Sequence, residues 1–156
     1  MKKEDILVLA CIRQDARAGL TKISRATSIP ITTIYHKLKS FEKNFIKKYT
    51  TIIDFPKLGY NTRAMILIRT KRDMKEKLFE YLINNKSLNS LYKINNGYDF
   101  MMEIIAREIR EVETFVDYLE TTYGLEKKEI HYLIEEVNRE EFMGNIEYLR
   151  LVENTT

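Results

Sequence analysis

The side chains best suited to chemistry in this sequence are cationic, and they crowd one end. Among residues 1–50, eleven lysines and arginines stand against four carboxylates, a net charge of +7, while the remainder carries 15 basic and 19 acidic residues, a net charge of −4. The total of +3 hides this division. Asymmetry of this kind marks one part of a chain as a surface for a polyanion. Lys22, Arg25, Lys37, Lys43, Lys47 and Lys48 are the expected phosphate contacts, which set register but not sequence. Among them Thr32, Thr33, Tyr35, His36 and Lys39 offer groups that read base edges. A lysine pairs with guanine O6 and N7, and a threonine methyl packs on the thymine methyl. His36 donates or accepts equally well, and is as readily a plain solvent-exposed histidine.

No other chemistry finds its residues. His36 and His131 are too few for a metal site without an accompanying cluster, so no metal and no cofactor are expected. Ser24 and Ser28 lack a nearby His/Asp set, and no glycine-rich phosphate loop is present, so no catalytic residues are assigned. The one cysteine, Cys11, lies in the apolar run Ile6–Ile12 and reads as core. Glu135, Glu136, Glu140 and Glu141 read as a solvated face. With 44% apolar and 31% charged residues the composition is that of a globular protein. No apolar run approaches the ~18 residues of a bilayer span, and no signal-peptide pattern opens the chain, so the protein is expected in the cytoplasm with no membrane partner.

The elements that must hold the basic residues follow from spacing. Glu4 to about Ala16 reads as a helix apolar on nearly every side. A short second helix follows Gly19, with Thr21 as expected N-cap and Leu20, Ile23, Ser24 and Thr27 on one stripe. Ile29-Pro30 ends it, because a residue preceding proline is driven out of the α region. A third helix, about Ile31 to Lys43, carries Ile31, Ile34, Leu38 and Phe41 spaced 3, 4 and 3 apart, with Ile34 at the centre of the buried stripe. At 100° per residue Thr32, His36, Lys39 and Lys43 lie within ~40° of the opposite pole. Three helices with a tight turn between the last two outline a helix-turn-helix. Phe45 to Ile53 reads as a strand or short wing.

Beyond the linker Asp54-Phe55-Pro56-Lys57-Leu58-Gly59-Tyr60 the pattern changes. Strands are expected at Arg63–Thr70, Leu88–Asn95, Tyr98–Ala106 and Ile130–Val137, and helices at Met74–Ile83 and Ile109–Tyr123, with Gly124 as a stop. The order β-α-β-β-α-β is the ferredoxin-like arrangement, so the fold class is α+β, a (winged) helix-turn-helix domain followed by a ferredoxin-like domain. The expected division is 1–48, a hinge at 49–61, the sheet domain at 62–137 and a C-terminal extension at 138–156. Met65 and Leu67 alternate with Ala64, Ile66 and Ile68, so both faces of the first strand are apolar. A second copy in a two-fold dimer is the economical cover for the outer face. Asn96-Gly97 with Tyr98 and Asp99 forms either a plain hairpin turn or a place for the amine of a small effector. Phe142, Ile146 and Leu149, at helical spacing, suggest a short C-terminal helix.

Several of these stretches together are similar to a known family. Gln14-Asp15-Ala16-Arg17, the helix-turn-helix with Thr21, Ile23 and Ile29, Phe45 through Thr50, the linker Ile53 to Asn61 and Tyr98-Asp99-Phe100 resemble the Lrp/AsnC (feast/famine) transcription regulators, in order across residues 4–137. The resemblance implies a DNA-binding domain joined by a hinge to a dimerising, amino-acid-sensing domain, often assembled into octamers on pseudo-palindromic DNA. Ser28 stands at a turn position usually held by glycine, and Asn96-Gly97 replaces a Gly-Asp pair of the sensing hairpin. An architectural protein that wraps DNA without a ligand is the alternative. Haem-pathway decarboxylase subunits share the two-domain plan, but their Arg-Pro-Phe-type motif is absent here, and no enzymatic activity is expected.

Overall fold

The computed structural model describes residues 2–145. Among the described residues the chain forms two compact units, one of 2–52 together with 137–145, the other Ile53–Glu136.

In the first unit α1 (Lys3–Gln14), α2 (Leu20–Thr27) and α3 (Ile31–Asn44) enclose a core of Val8, Cys11, Ile23, Ile29, Ile34 and Phe41. Val8 and Ile34 are fully buried, which explains why α1 shows no clean apolar stripe: it is embedded between its neighbours. The N-cap of α2 is Gly19 and not Thr21, because the helix begins one residue before the threonine. The turn into α3 is pinned from inside α2. The Ser24 hydroxyl donates to the Ile29 carbonyl at 2.7 Å, and the Thr27 hydroxyl donates to the Ile23 carbonyl at 2.8 Å. Ser28 closes α2 with φ +62°, a left-handed conformation that glycine adopts without a Cβ penalty. Pro30 then caps α3, whose first intrahelical bond runs from the Ile34 amide to the Pro30 carbonyl.

The strand or wing expected over Phe45–Ile53 does not form. The segment finds no partner strand among the described residues and runs on without secondary structure. A 3-10 turn at Pro56–Leu58 follows, closed by Gly59 at φ +84°.

The second unit is built from β1 (Thr62–Thr70), α4 (Lys75–Asn84), β2 (Leu88–Lys93), β3 (Phe100–Ala106), α5 (Ile109–Tyr123) and β4 (Leu125–Tyr132). The sheet is antiparallel throughout in the order β2-β3-β1-β4. The last strand lies about five residues earlier than its apolar residues suggest. Gly124, at φ +62°, turns the end of α5 straight into it. Its charged stretch Glu126–Glu129 occupies a sheet edge, where long polar side chains are tolerated. One sheet face packs Ala64, Ile66, Ile68, Phe100, Met102, Ile104 and Ala106 against Leu78 and Leu82 of α4 and Val112, Val116 and Leu119 of α5. These helical positions sit three or four apart, the spacing of one buried stripe.

The opposite face carries half-buried Met65, Leu67, Met101 and Ile105, and within it a polar group that alternation alone does not reveal. Glu103 on β3 is 4% exposed and accepts hydrogen bonds from Arg63, Asn89 and Ser90, while Arg63 also binds Glu136. Of the expected C-terminal helix, Ile146 and Leu149 lie outside the described residues, and Phe142 sits in a turn.

Two predictions follow from this packing. Burial pushes the Glu103 carboxyl up, but the bonds from Asn89, Arg63 and Ser90 outweigh it and hold the group below the ordinary carboxylate range. A depressed native pKa stabilises above the unfolded value, about 4.3, and that contribution is lost as pH falls through the native value. Urea unfolding should therefore show stability falling below about pH 4, and Glu103→Gln should flatten that fall while costing about 1–3 kcal/mol at neutral pH. At the turn, Ser28→Gly should raise the stability of the first unit by about 0.5–1 kcal/mol, read as a shift of its urea midpoint, whereas Ser28→Val should lower it.

Candidate nucleic-acid interface

Burying Ile34 and Phe41 orients everything else on α3. Thr32, Tyr35, His36, Lys39 and Lys43 are exposed, as the helical winding requires, and Thr33 is half-buried on the flank. Three of the exposed side chains touch one another. The Tyr35 and His36 rings meet edge to face at 5.6 Å, and the Lys39 ammonium lies 4.7 Å from the Tyr35 ring centroid. Tyr35, beside Lys39, pushes the lysine pKa up, so the ammonium stays charged. With no wing for it to pack on, Tyr35 forms part of this row, 44% exposed.

The cations named as phosphate contacts divide into three kinds. Arg25, Lys43, Lys47 and Lys48 are exposed and make no ion pair among the described residues. Lys22 is exposed but reaches the Asp15 carboxylate at 2.7 Å, and this bond, with that from the Arg17 amide, holds the Asp15 pKa down. Lys37 is different. Its side chain is only 15% exposed, and its ammonium is held by Asp5 and, at 3.3 Å, by Glu4. Asp5 raises the lysine pKa, and Lys37 lowers that of Asp5. Lys37 is therefore a clamp from α3 to the start of α1. The signal in the sequence was the Glu4-Asp5 pair at the head of an otherwise apolar helix.

The hairpin residues lie in the second unit. Asn96 and Gly97 both take positive φ, +62° and +87°, and the Ile94 amide donates to the Asp99 carbonyl at 3.0 Å to close the loop. Tyr98 and Asp99 are engaged inside the chain. The Tyr98 hydroxyl donates to Glu129, and the Lys127 ammonium lies 4.1 Å from the Tyr98 ring centroid. Asp99 accepts the Thr70 amide at 3.0 Å and pairs with Lys75. Burial pushes the Asp99 carboxyl up, but Lys75 and the Thr70 amide outweigh it and leave the pKa lowered. Sequence spacing pointed to Asp99 but not to Thr70 and Lys75, because neither is near it along the chain.

No cluster of three or more metal-ligating side chains exists among the described residues. No helix among them is long and apolar enough to cross a membrane.

No family model matches the sequence. The HTH-type transcriptional regulator FL11 of Pyrococcus abyssi is 27% identical over 123 residues, 78% of this chain and 82% of its own length. Among solved structures, LrpC of B. subtilis superposes with a TM-score of 0.79 at 19% identity, covering 88% of this chain and 97% of its own. NMB0573 of Neisseria meningitidis, a transcriptional regulator in complex with L-Met, superposes with a TM-score of 0.82 at 15% identity, covering 89% and 93%. The homologues of this chain are thus HTH-type transcriptional regulators, and its α+β fold is that of the Lrp/AsnC proteins.

Proposed function

We propose that the chain is a sequence-specific DNA-binding transcription regulator that acts as a two-fold dimer or a larger assembly. The observation that carries this reading is the exposed row Thr32, Tyr35, His36, Lys39 and Lys43, set opposite the buried seam of α3 in a unit rich in exposed cations. The second helix of a helix-turn-helix enters the major groove, its N-terminal part on base edges. Thr32, Tyr35, His36 and Lys39 are the base-reading groups, with Thr33 beside them, and Arg25, Lys43, Lys47, Lys48 and Lys22 bind phosphates. The clamp on Lys37 takes it out of that set. Regulator relatives such as FL11 support the assignment.

The outer sheet face, with Met65, Leu67, Met101 and Ile105 half-buried and Tyr92 50% exposed, is the surface that a second copy covers. Pairing places two heads on one duplex, with half-sites about 10 bp or a multiple apart. A regulating effector, an amino acid as in the NMB0573 complex, would take the site at Asn96, Gly97, Tyr98 and Asp99 and compete with Lys75 and Glu129 for its polar groups. The intrachain engagement of Tyr98 and Asp99 favours a second reading, an assembly that binds DNA without any ligand.

Selection of bound fragments from random DNA, with and without each amino acid, tests these readings. An enriched pseudo-palindrome supports the regulator, and uniform protection with little base preference supports the architectural protein. With about eight phosphates engaged per dimer, log affinity should fall with log salt at a slope near −7. Lys39→Glu or Lys47→Glu should abolish binding while the protein stays folded and paired, and normal binding by either would remove this surface from consideration. Leu67→Glu should yield a lone subunit by sedimentation, with DNA affinity reduced at least tenfold by loss of the second head.

A further inference from the structure

The chain returns to its helix-turn-helix unit after the sheet is complete. It leaves the first unit after Ile52 and re-enters it at Val137, so the basic head has two covalent attachments. The returning stretch is fastened. Arg13, in the last turn of α1, donates from Nε to the Phe142 carbonyl at 2.7 Å and from its terminal nitrogen to the Glu140 carboxylate. Around this grip the backbone is shaped in detail. Glu140 and Met143, neither of them glycine, take left-handed φ of +59° and +61°. The Gly144 amide donates to the Glu141 carbonyl at 2.9 Å, and Gly144 is buried. A Cβ at Gly144 would lie only 3.3 Å from that same carbonyl oxygen. Left-handed non-glycine residues persist only where surrounding contacts hold them. Four residues before Glu140, in the second unit, Glu136 is bound by Arg63. Two of the four carboxylates that sequence alone assigns to a solvated face, Glu136 and Glu140, thus each have an arginine.

We propose that residues 137–145 are a strap, latched to α1 through Arg13, that restricts the movement of the DNA-binding head and so narrows the half-site spacings that a paired protein accepts. This rests on the DNA-binding reading above. A head on one attachment samples the volume its linker permits, and a head on two samples less, so a fixed spacing between heads is selected at smaller entropic cost. The latching groups are themselves exposed, Arg13 40% and Glu140 54%, so the strap is weak, opens readily and is screened by salt. Arg13 belongs to none of the base-reading or phosphate-binding residues, so its role is separable from theirs.

The test compares the full-length protein with its Arg13→Gln and Glu140→Gln variants, which break the same latch from opposite ends. Amide hydrogen exchange without DNA reads the strap directly, and the Gly144 amide, bonded to the Glu141 carbonyl, should be protected in the parent and exchange severalfold faster in both variants. Affinity is then measured for a fragment selected by the parent protein and for the same fragment with about 5 bp, half a helical turn, inserted between half-sites. The parent's preference for the original spacing should fall severalfold in both variants, with the salt slope unchanged. An unprotected strap in the parent, or an unchanged spacing preference once exchange has accelerated, overturns the proposal. A parent protein that binds no selected DNA overturns the underlying reading and the strap's role with it, an outcome that the exchange measurement keeps distinct from failure of the latch.

Discussion

Burial of Ile34 and Phe41 is the constraint on which the basic unit depends. Both side chains face a core made by α1, α2 and the turn, and one helix cannot turn two faces inward. Once they are buried, Thr32, His36, Lys39 and Lys43 are committed to the outside, and Tyr35 beside them meets His36 edge to face and lies under Lys39. Hydrophobic burial is non-directional, yet on a helix of 3.6 residues per turn it fixes the direction of every polar side chain. The Lys37 clamp adds a second fixture, because an ammonium shared by Asp5 and Glu4 ties the same helix to α1.

Periodicity revealed the parts of the fold where one principle dominates. The stripes Leu78–Leu82 and Val112–Val116–Leu119, the alternation in β1 and the turn at Ser28-Ile29-Pro30 all stand where spacing puts them. Where two principles compete, the sequence was harder to read. The last strand is expected at Ile130–Val137, but the stop at Gly124 and the edge position set it at Leu125–Tyr132. Phe45–Ile53 has the β-branched residues of a strand, but a strand also needs a partner, which a pattern within one segment cannot supply.

The surface residues divide in the same way. Exposure of Thr32, Tyr35, His36 and Lys39 follows from helical geometry, which is local. That Lys37 is held by α1, that Asp99 caps the end of β1, or that Glu103 lies buried among Arg63, Asn89 and Ser90 depends on contacts between distant parts of the chain. A charge count treats all lysines alike, whereas the folded chain makes some of them structural and leaves others, such as Lys47 and Lys48, open to solvent.

The polar run on β4 has a consequence for growth. An open sheet offers unpaired amides and carbonyls along its outermost strands, a template for endless lateral addition. Glu126, Lys127, Lys128 and Glu129 line one such margin with alternating pairs of charge, several of them already tied to Arg69, Glu120 or Tyr98. A foreign strand docking there would have to strip water from these groups and break those ties, so that margin resists fibril-like extension.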